Sequence, residues 1–380
     1  MDLWEDAGVV KKFAAGSVVE IVAEKEQTST TSSTTRKPLI RPINSQHMYY
    51  CTAGMGSIPL SIRSENSFKI HQDVWISPGN GVKYIGTSET NPQGQGQWSV
   101  QTNGKRFGTY DHVIIAHNGK CADRLMSKTP AKDLHSLLVV DFRPTVPEWG
   151  GKKMTLNSIY SLTVALQKNN KNNNIHDVSH VVGKEVVTAF VKNAPELSLI
   201  TNQSRKFANA HAYANDDLEV WTILSSAKFA KKYKGPQENL PQERVEEVTR
   251  LMLSSLEKSL GLAEGTIHDG LVKDSRLQLW GAGVPLNVWS SSSTGASAAG
   301  GRAGVDGGFL YDADHGVGVC GDWLLDPSIA GAWESGRRLA NWMVEGTQMQ
   351  HQQRSVGLPP DGGKFKVSRA ASGSGIGNVR

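Results

Sequence analysis

The chain reads as a mixed α/β protein, and three stretches carry that reading. Residues 218–280 give strand, helix and strand in turn. Residues 110–116 hold a short, wholly apolar run of the kind that forms a strand covered on both faces. Residues 309–344 read as two strands joined by a tight turn, then a loop and a long helix.

Within the first stretch, the best-marked element is the helix over 242–260. Val245, Val248, Met252, Leu256 and Leu260 recur on one stripe, Pro241 suits its start and Gly261 its C-terminal cap. Leu218–Ser225 precedes it as a strand. Arg276–Trp280 follows with period two, placing Leu277 and Leu279 on one face and Arg276, Gln278 and Trp280 on the other. Strands are also expected at Lys69–Ile76, Val82–Thr87 and Trp98–Thr102, with Asn103-Gly104 as a hairpin signal among them.

In the third stretch, Phe309–Asp312 is a strand, Ala313–Gly316 a turn and Val317–Cys320 a second strand ending in Gly321-Asp322. Asp326 is expected as N-cap and Pro327 in the first turn of a helix from about Ser328 to Val344. Ile329, Trp333, Gly336, Ala340 and Met343 share one face, and Gly331, Ser335 and Gly336 keep the helix thin. A strand ending in Gly-Asp beside a helix N-terminus suits a ligand. The glycine admits close approach, the carboxylate accepts hydrogen bonds from hydroxyls, and the free N–H groups favour a partly anionic ring edge. The same residues also fit an ordinary strand–loop–helix. Gly316-x-Gly318-x-x-Gly321 has the spacing of a dinucleotide fingerprint. Its glycines fall inside the expected strand, however, and the helix begins several residues later, which argues against that reading.

Composition narrows the function classes. With 380 residues, the chain is long enough for two domains. The net charge of +5 comes from scattered residues, and the densest basic cluster, Lys231-Lys232-Tyr233-Lys234, reads as a solvated turn rather than a nucleic-acid surface. No apolar run approaches the roughly 18 residues of a membrane span. Met1 to Asp6 lacks the basic and apolar regions of a signal peptide. Cys51, Cys121 and Cys320 are too far apart and too few for a disulfide framework or a zinc site, which points to an intracellular, reducing compartment, cytoplasm or plastid. His176 and His180 lie beside an Asn-rich insertion and read as a loop, so no metal is expected. Ser179, Ser225 and Ser335 lack the nucleophile elbow of hydrolases.

Residues 27–36, 167–175, 290–308 and the tail from 348 to 380 are polar or glycine-rich and are expected to be insertions, a flexible linker and a disordered tail.

Six phrases then occur in a shared order. They are Trp4-Glu5-Asp6-x-Gly8, the run from Ile115 to Ala122, Pro236-Gln237-Glu238-Asn239, the run from Arg276 to Ala282, the run from Cys320 to Leu325, and Gly331-Ala332-x-x-Ser335-Gly336. Together they resemble the renalase-like, flavin amine oxidase-like FAD/NAD(P)-binding oxidoreductases of plants and algae. Ala53-Gly54-Met55-Gly56 resembles that family's Gly-Met turn, and equally fits a simple glycine-rich turn.

The resemblance implies a partial Rossmann-like FAD-binding domain (50–135 and 309–347). It also implies a substrate domain with a mixed, mainly antiparallel sheet (1–49 and 136–289). By position, Gly321 and Asp322 would meet the ribityl–phosphate region of a non-covalent FAD. Ile329, Ala330, Gly331 and Ala332 would offer backbone groups to the pyrimidine edge. Ala116 and His117 would end a strand beside the cofactor, and Val74 would meet the adenine. Trp280 and Gln278 would line the substrate cavity. The implied activity is hydride transfer from a small substrate, an amine or a reduced nicotinamide. The family opens with a βαβ unit bearing G-x-G-x-x-G, whereas this chain opens at the Trp-Glu-Asp phrase. The alternative expectation is therefore a non-catalytic homologue that no longer binds FAD.

Overall fold

A computed structural model describes residues 2–23, 37–45, 48–64, 69–71, 74–76, 81–86, 96–102, 105–117, 119–168, 178–208, 217–267, 271–291, 307–348, 354–359 and 363–368. The Ser/Thr-rich insertion, most of the Asn-rich one, residues 292–306 and His176 lie outside them.

Two compact units divide the chain. One comprises Met1–Lys69, Ser158–Gly281 and Gly373–Arg380, the other Ile70–Asn157 and Ala282–Ser372.

The first unit is built on a seven-stranded sheet. Its order is Val272–Trp280, Ile159–Gln167, Leu218–Ser225, Leu197–Asn202, Thr188–Lys192, Val18–Val22, Leu39–Pro42. All neighbours are antiparallel except Thr188–Lys192 with Val18–Val22. The alternating burial of Leu218–Ser225 follows from one face packing inward and the other outward. The helix Gln242–Leu260 covers the inner face. Val248, Met252, Leu256 and Leu260 join Tyr160, Ile200, Trp221 and Ile223 in one core. Gly261 takes the left-handed conformation at the C-cap, its N–H reaching the Glu257 and Lys258 carbonyls, because a left-handed cap satisfies carbonyls the helix leaves open.

The second unit has no large sheet among its described residues. Leu310–Asp312, Val317–Val319 and Val113–Ile115 form a three-stranded sheet in that order, with the last pair parallel. Val82–Tyr84, Trp98–Thr102 and Lys105–Tyr110 form an antiparallel meander. Val140–Phe142 pairs in parallel with Met154–Leu156. The helices Gly119–Met126, Lys132–Leu138 and Ile329–Gln348 complete the unit. Among the described residues of the whole chain, no helix is long and apolar enough to cross a membrane.

Several sequence expectations need correction. The described parts of Lys69–Ile76 are not a strand. The strand at 82 stops at Tyr84. The hairpin partner of Trp98–Thr102 is Lys105–Tyr110, whose Arg, Gly and Thr conceal any period-two pattern. The tail is not wholly disordered. Gly363–Val367 pairs antiparallel with Asn287–Ser291, and Phe365 is buried against Trp289 at a ring-centroid distance of 5.0 Å. One aromatic side chain thus anchors a stretch whose composition is otherwise polar.

The compact units also divide the chain at other places than 49/50, 135/136 and 289/290. Residues 50–69 go with the first unit, where Tyr49–Cys51 pairs with Val10–Lys12. Residues 136–157 and 282–289 go with the second. There Asn287, fully buried, accepts from the Thr155 N–H at 2.8 Å and donates to the Gly150 and Lys153 carbonyls at 2.6 and 2.8 Å. A single amide side chain thereby satisfies three backbone groups.

Candidate functional site

The candidate site lies in the second unit, where two parallel strands and one helix come together. Val317–Val319 pairs with Val113–Ile115, and the Cys320 N–H reaches the Ile115 carbonyl at 3.1 Å. Both strands therefore end at one level; Ala116 and Cys320 follow directly, and Gly321 comes next. Ala116 and His117 are exposed, and Gly119, at φ 73°, turns the chain into the helix Gly119–Met126.

Ser335 is the hub of this arrangement. It is fully buried on the long helix, its hydroxyl donates to the Gly308 carbonyl, and its oxygen accepts the Gly321 N–H at 2.9 Å. One side chain thus ties the strand end to the helix and to the segment before Leu310. The sequence marked Ser335 as small, as part of the Gly331–Gly336 phrase and as lacking a nucleophile elbow, not as a hydrogen-bonding hub. Its position one helical turn after Gly331 was the available signal. Ser335→Ala is expected to lower stability by about 1–3 kcal/mol, because a buried donor and a buried acceptor lose their partner together. Thermal unfolding of the two chains checks this, and equal midpoints would remove Ser335 from the role.

Local packing accounts for several glycines. A Cβ at Gly318 would lie 2.7 Å from Ile114 Cδ1 and 2.9 Å from Leu339 Cδ2. That glycine therefore serves strand–helix contact rather than a pyrophosphate, as its position inside the strand implied. A Cβ at Gly321 would lie 3.2 Å from the Trp323 ring. Trp323 is fully buried in the core of the unit, and its indole N–H has no hydrogen-bond partner among the described residues. Asp322 opens a short 3-10 turn, Asp322–Leu324, and is half-buried and already engaged within the chain.

The helix begins differently from expectation. Ser328, not Asp326, caps it: the Ser328 hydroxyl oxygen accepts the Gly331 N–H at 3.0 Å and the Ser328 carbonyl accepts the Ala332 N–H at 2.9 Å. The Asp326 carbonyl instead takes the Ser328 N–H at 2.7 Å. Of the four residues 329–332, Gly331 and Ala332 have thus committed their N–H groups, which leaves those of the exposed Ile329 and Ala330 as the open first-turn donors among the described residues.

Part of the expected apolar face is exposed, beside Arg337, Asn341 and Glu345. Ile329 is 40% and Trp333 47% exposed, and Ala340 is exposed as well, whereas Gly331, Ser335 and Leu339 face the core. Leu339 packs with Phe309, Tyr311 and Cys320, and burial pushes the Cys320 thiol up in pKa, so the thiol stays protonated. Farther along, Arg337 and Arg338 hydrogen-bond Glu334 and bring its carboxyl down to about 2.

The remaining candidates belong to other elements. Val74 belongs to the stretch 74–76, held where the Thr102 hydroxyl meets the Trp75 carbonyl. Gln278 and Trp280 belong to the first unit, on the exposed face of its edge strand, with Leu279 buried behind them as the alternation predicts. Cys51, Cys121 and Cys320 are free thiols. Among the described residues, no group of His, Cys, Asp and Glu is arranged to hold a metal ion.

No protein-family model matches the chain. Among solved structures, a reduced UDP-galactopyranose mutase is similar at 10% identity and a TM-score of 0.30, over 50% of this chain and 32% of that one. Wild-type putrescine oxidase bound to putrescine is similar at 13% identity and a TM-score of 0.38, over 80% of this chain and 54% of that one. A triple mutant of the same oxidase gives 13% and 0.39. The chain spans about half the length of the oxidase and about a third of the mutase. Likenesses this distant carry no argument about function.

Proposed function

We propose that the chain is an FAD-dependent oxidoreductase of the amine oxidase-like, renalase-like class, acting on a small amine or a reduced nicotinamide in a reducing compartment. One observation carries the reading: two parallel strands end together, and Ser335 in the second turn of a long helix ties that helix to Gly321 at the strand end, where ligands of open α/β sheets bind. Bound non-covalently there, FAD would supply the hydride acceptor. The protein's part is to bind and orient. The N–H groups of Ile329 and Ala330 are the free donors for the pyrimidine edge. Asp322 is the acceptor for ribityl hydroxyls, and Ala116 and His117 border the crevice. The exposed Ile329 and Trp333 side chains give apolar surface for a flat ring to cover. Val74 at the adenine, and Trp280 and Gln278 at the substrate, complete the assignment.

A second reading has its own support. Parallel strands are normally covered on both faces, yet Val113–Ile115 pairs on one edge only among the described residues and its Ile114 is 40% exposed. Among the described residues, no G-x-G-x-x-G stands between a strand and a helix that directly follows it, the turn that would hold a pyrophosphate. The second reading is a non-catalytic homologue. The two are separated by flavin absorbance. On the first reading the purified 380-residue chain, incubated with FAD and desalted, is yellow with stoichiometric flavin. Asp322→Ala should then weaken FAD by about 1–3 kcal/mol, the cost of losing a charged hydrogen-bond partner. A colourless protein after that treatment would sink the flavin reading and leave the second.

A further inference from the structure

A cleft of about 470 Å³ opens in the second unit, away from the Gly321 site in sequence, lined by Val82, Lys83, Tyr84, Gln101, Lys128, Thr129 and Pro130. Its lining contains two lysines and no carboxylate. Lys83 and Lys128 are exposed, and neither has a salt-bridge partner among the described residues.

Lys128 follows the helix Gly119–Met126, where a cation often serves the helix's open carbonyls. Here the Arg124 and Met126 carbonyls, and that of Ser127 after them, have other partners. Ser127 Oγ donates to the Arg124 carbonyl at 3.0 Å, Thr129 donates to the Met126 carbonyl through its hydroxyl at 2.8 Å and its N–H at 3.0 Å, and Lys132 Nζ reaches the Ser127 carbonyl at 3.2 Å. Helix capping therefore does not use Lys128.

The aromatic wall of the cleft is fixed. The Tyr84 ring meets the Trp98 ring edge-on at 5.0 Å and the His315 ring edge-on at 5.3 Å. His315 is itself held by Asp312, Nδ1 to Oδ2 at 2.9 Å, and its carbonyl accepts the Trp98 indole N–H at 2.6 Å. A Cβ at Gly96 would lie 2.1 Å from the Tyr84 hydroxyl, so only glycine leaves the ring this place.

We propose that this cleft binds a phosphate monoester with a flat apolar body. Two unpaired ammonium groups match the double negative charge of a phosphate. Tyr84, Val82 and Pro130 offer the surface for the body, and Thr129, its proton committed to Met126, offers only an acceptor.

Titration calorimetry of the 380-residue chain with phenyl phosphate, in the absence of flavin, tests this. Saturable one-to-one binding is expected, tighter than for inorganic phosphate. The K83Q/K128Q double variant should lose about tenfold or more in affinity, the scale of removing charge-assisted contacts. K132Q, whose ammonium is already on a carbonyl, should bind as the parent does. No saturable binding, an unchanged K83Q/K128Q affinity, or an equal loss in K132Q would overturn the site. Equal affinity for inorganic phosphate would remove the flat body from the ligand. The outcome is independent of whether FAD binds at Gly321.

Discussion

Trp221→Ala is expected to destabilise the first unit by about 3–5 kcal/mol, the range for truncating a buried tryptophan, where a domain's whole stability is about 5–15 kcal/mol. Trp221 is fully buried in the core that the sheet shares with the Gln242–Leu260 helix, the core that also holds Tyr160, Ile223 and Met252. Its indole N–H also donates to Glu219 Oε2 at 3.2 Å. Glu219 is itself nearly buried, accepting the Ser179 hydroxyl, with Arg205 at 3.6 Å. The substitution therefore opens a cavity and weakens a buried carboxylate network together. Trp280→Ala is the control. That side chain is 49% exposed, and its loss should change stability by about 0.5 kcal/mol or less. Denaturant unfolding of the two variants decides: equal midpoints would refute the packing described here.

Gly331→Ala should cost about 1–3 kcal/mol or more and distort the start of the Ile329–Gln348 helix. A Cβ there would lie 2.1 Å from the Asp326 carbonyl oxygen and 3.0 Å from the Asp326 nitrogen. Both atoms are backbone, so the loop itself must move. The Ser328 cap, which holds the Gly331 N–H, would move with it. Circular dichroism with thermal unfolding reports the loss. Gly336→Ala, where a Cβ meets nothing nearer than Cys320 Sγ at 4.0 Å, should be tolerated. If Gly331→Ala were equally tolerated, the close loop–helix contact would not exist in solution. Gly331 was expected to thin the helix for a ligand or strand. Its neighbour is the helix's own leading loop.

That outcome shows where sequence reading stops. The 242–260 helix was legible end to end because its stripe, its proline and its capping glycine agree, each acting within a few residues. The strand at 218–225 and the alternation at 276–280 were legible for the same reason. The strand at 363–367 was not, since it exists only through its partner at 287–291 and one buried ring. Trp221 and Trp280 are the same residue type on strands flanking one neighbour, and their opposite burial follows from which face the helix covers.

At the candidate site, the sequence by itself determined the order of elements: a strand ending at Ala116, a strand ending at Gly321 and a helix starting near Ile329. Each is set by local apolar period and turn residues. Tertiary structure decided which groups remain free there. Ser328 takes the Gly331 N–H, Ser335 takes the Gly321 N–H, and Leu339 rather than Trp333 faces the core. Periodicity places residues on a common face, but only packing decides whether that face meets protein or solvent, and hydrogen-bond partners distant in sequence then determine which polar groups are left for a ligand.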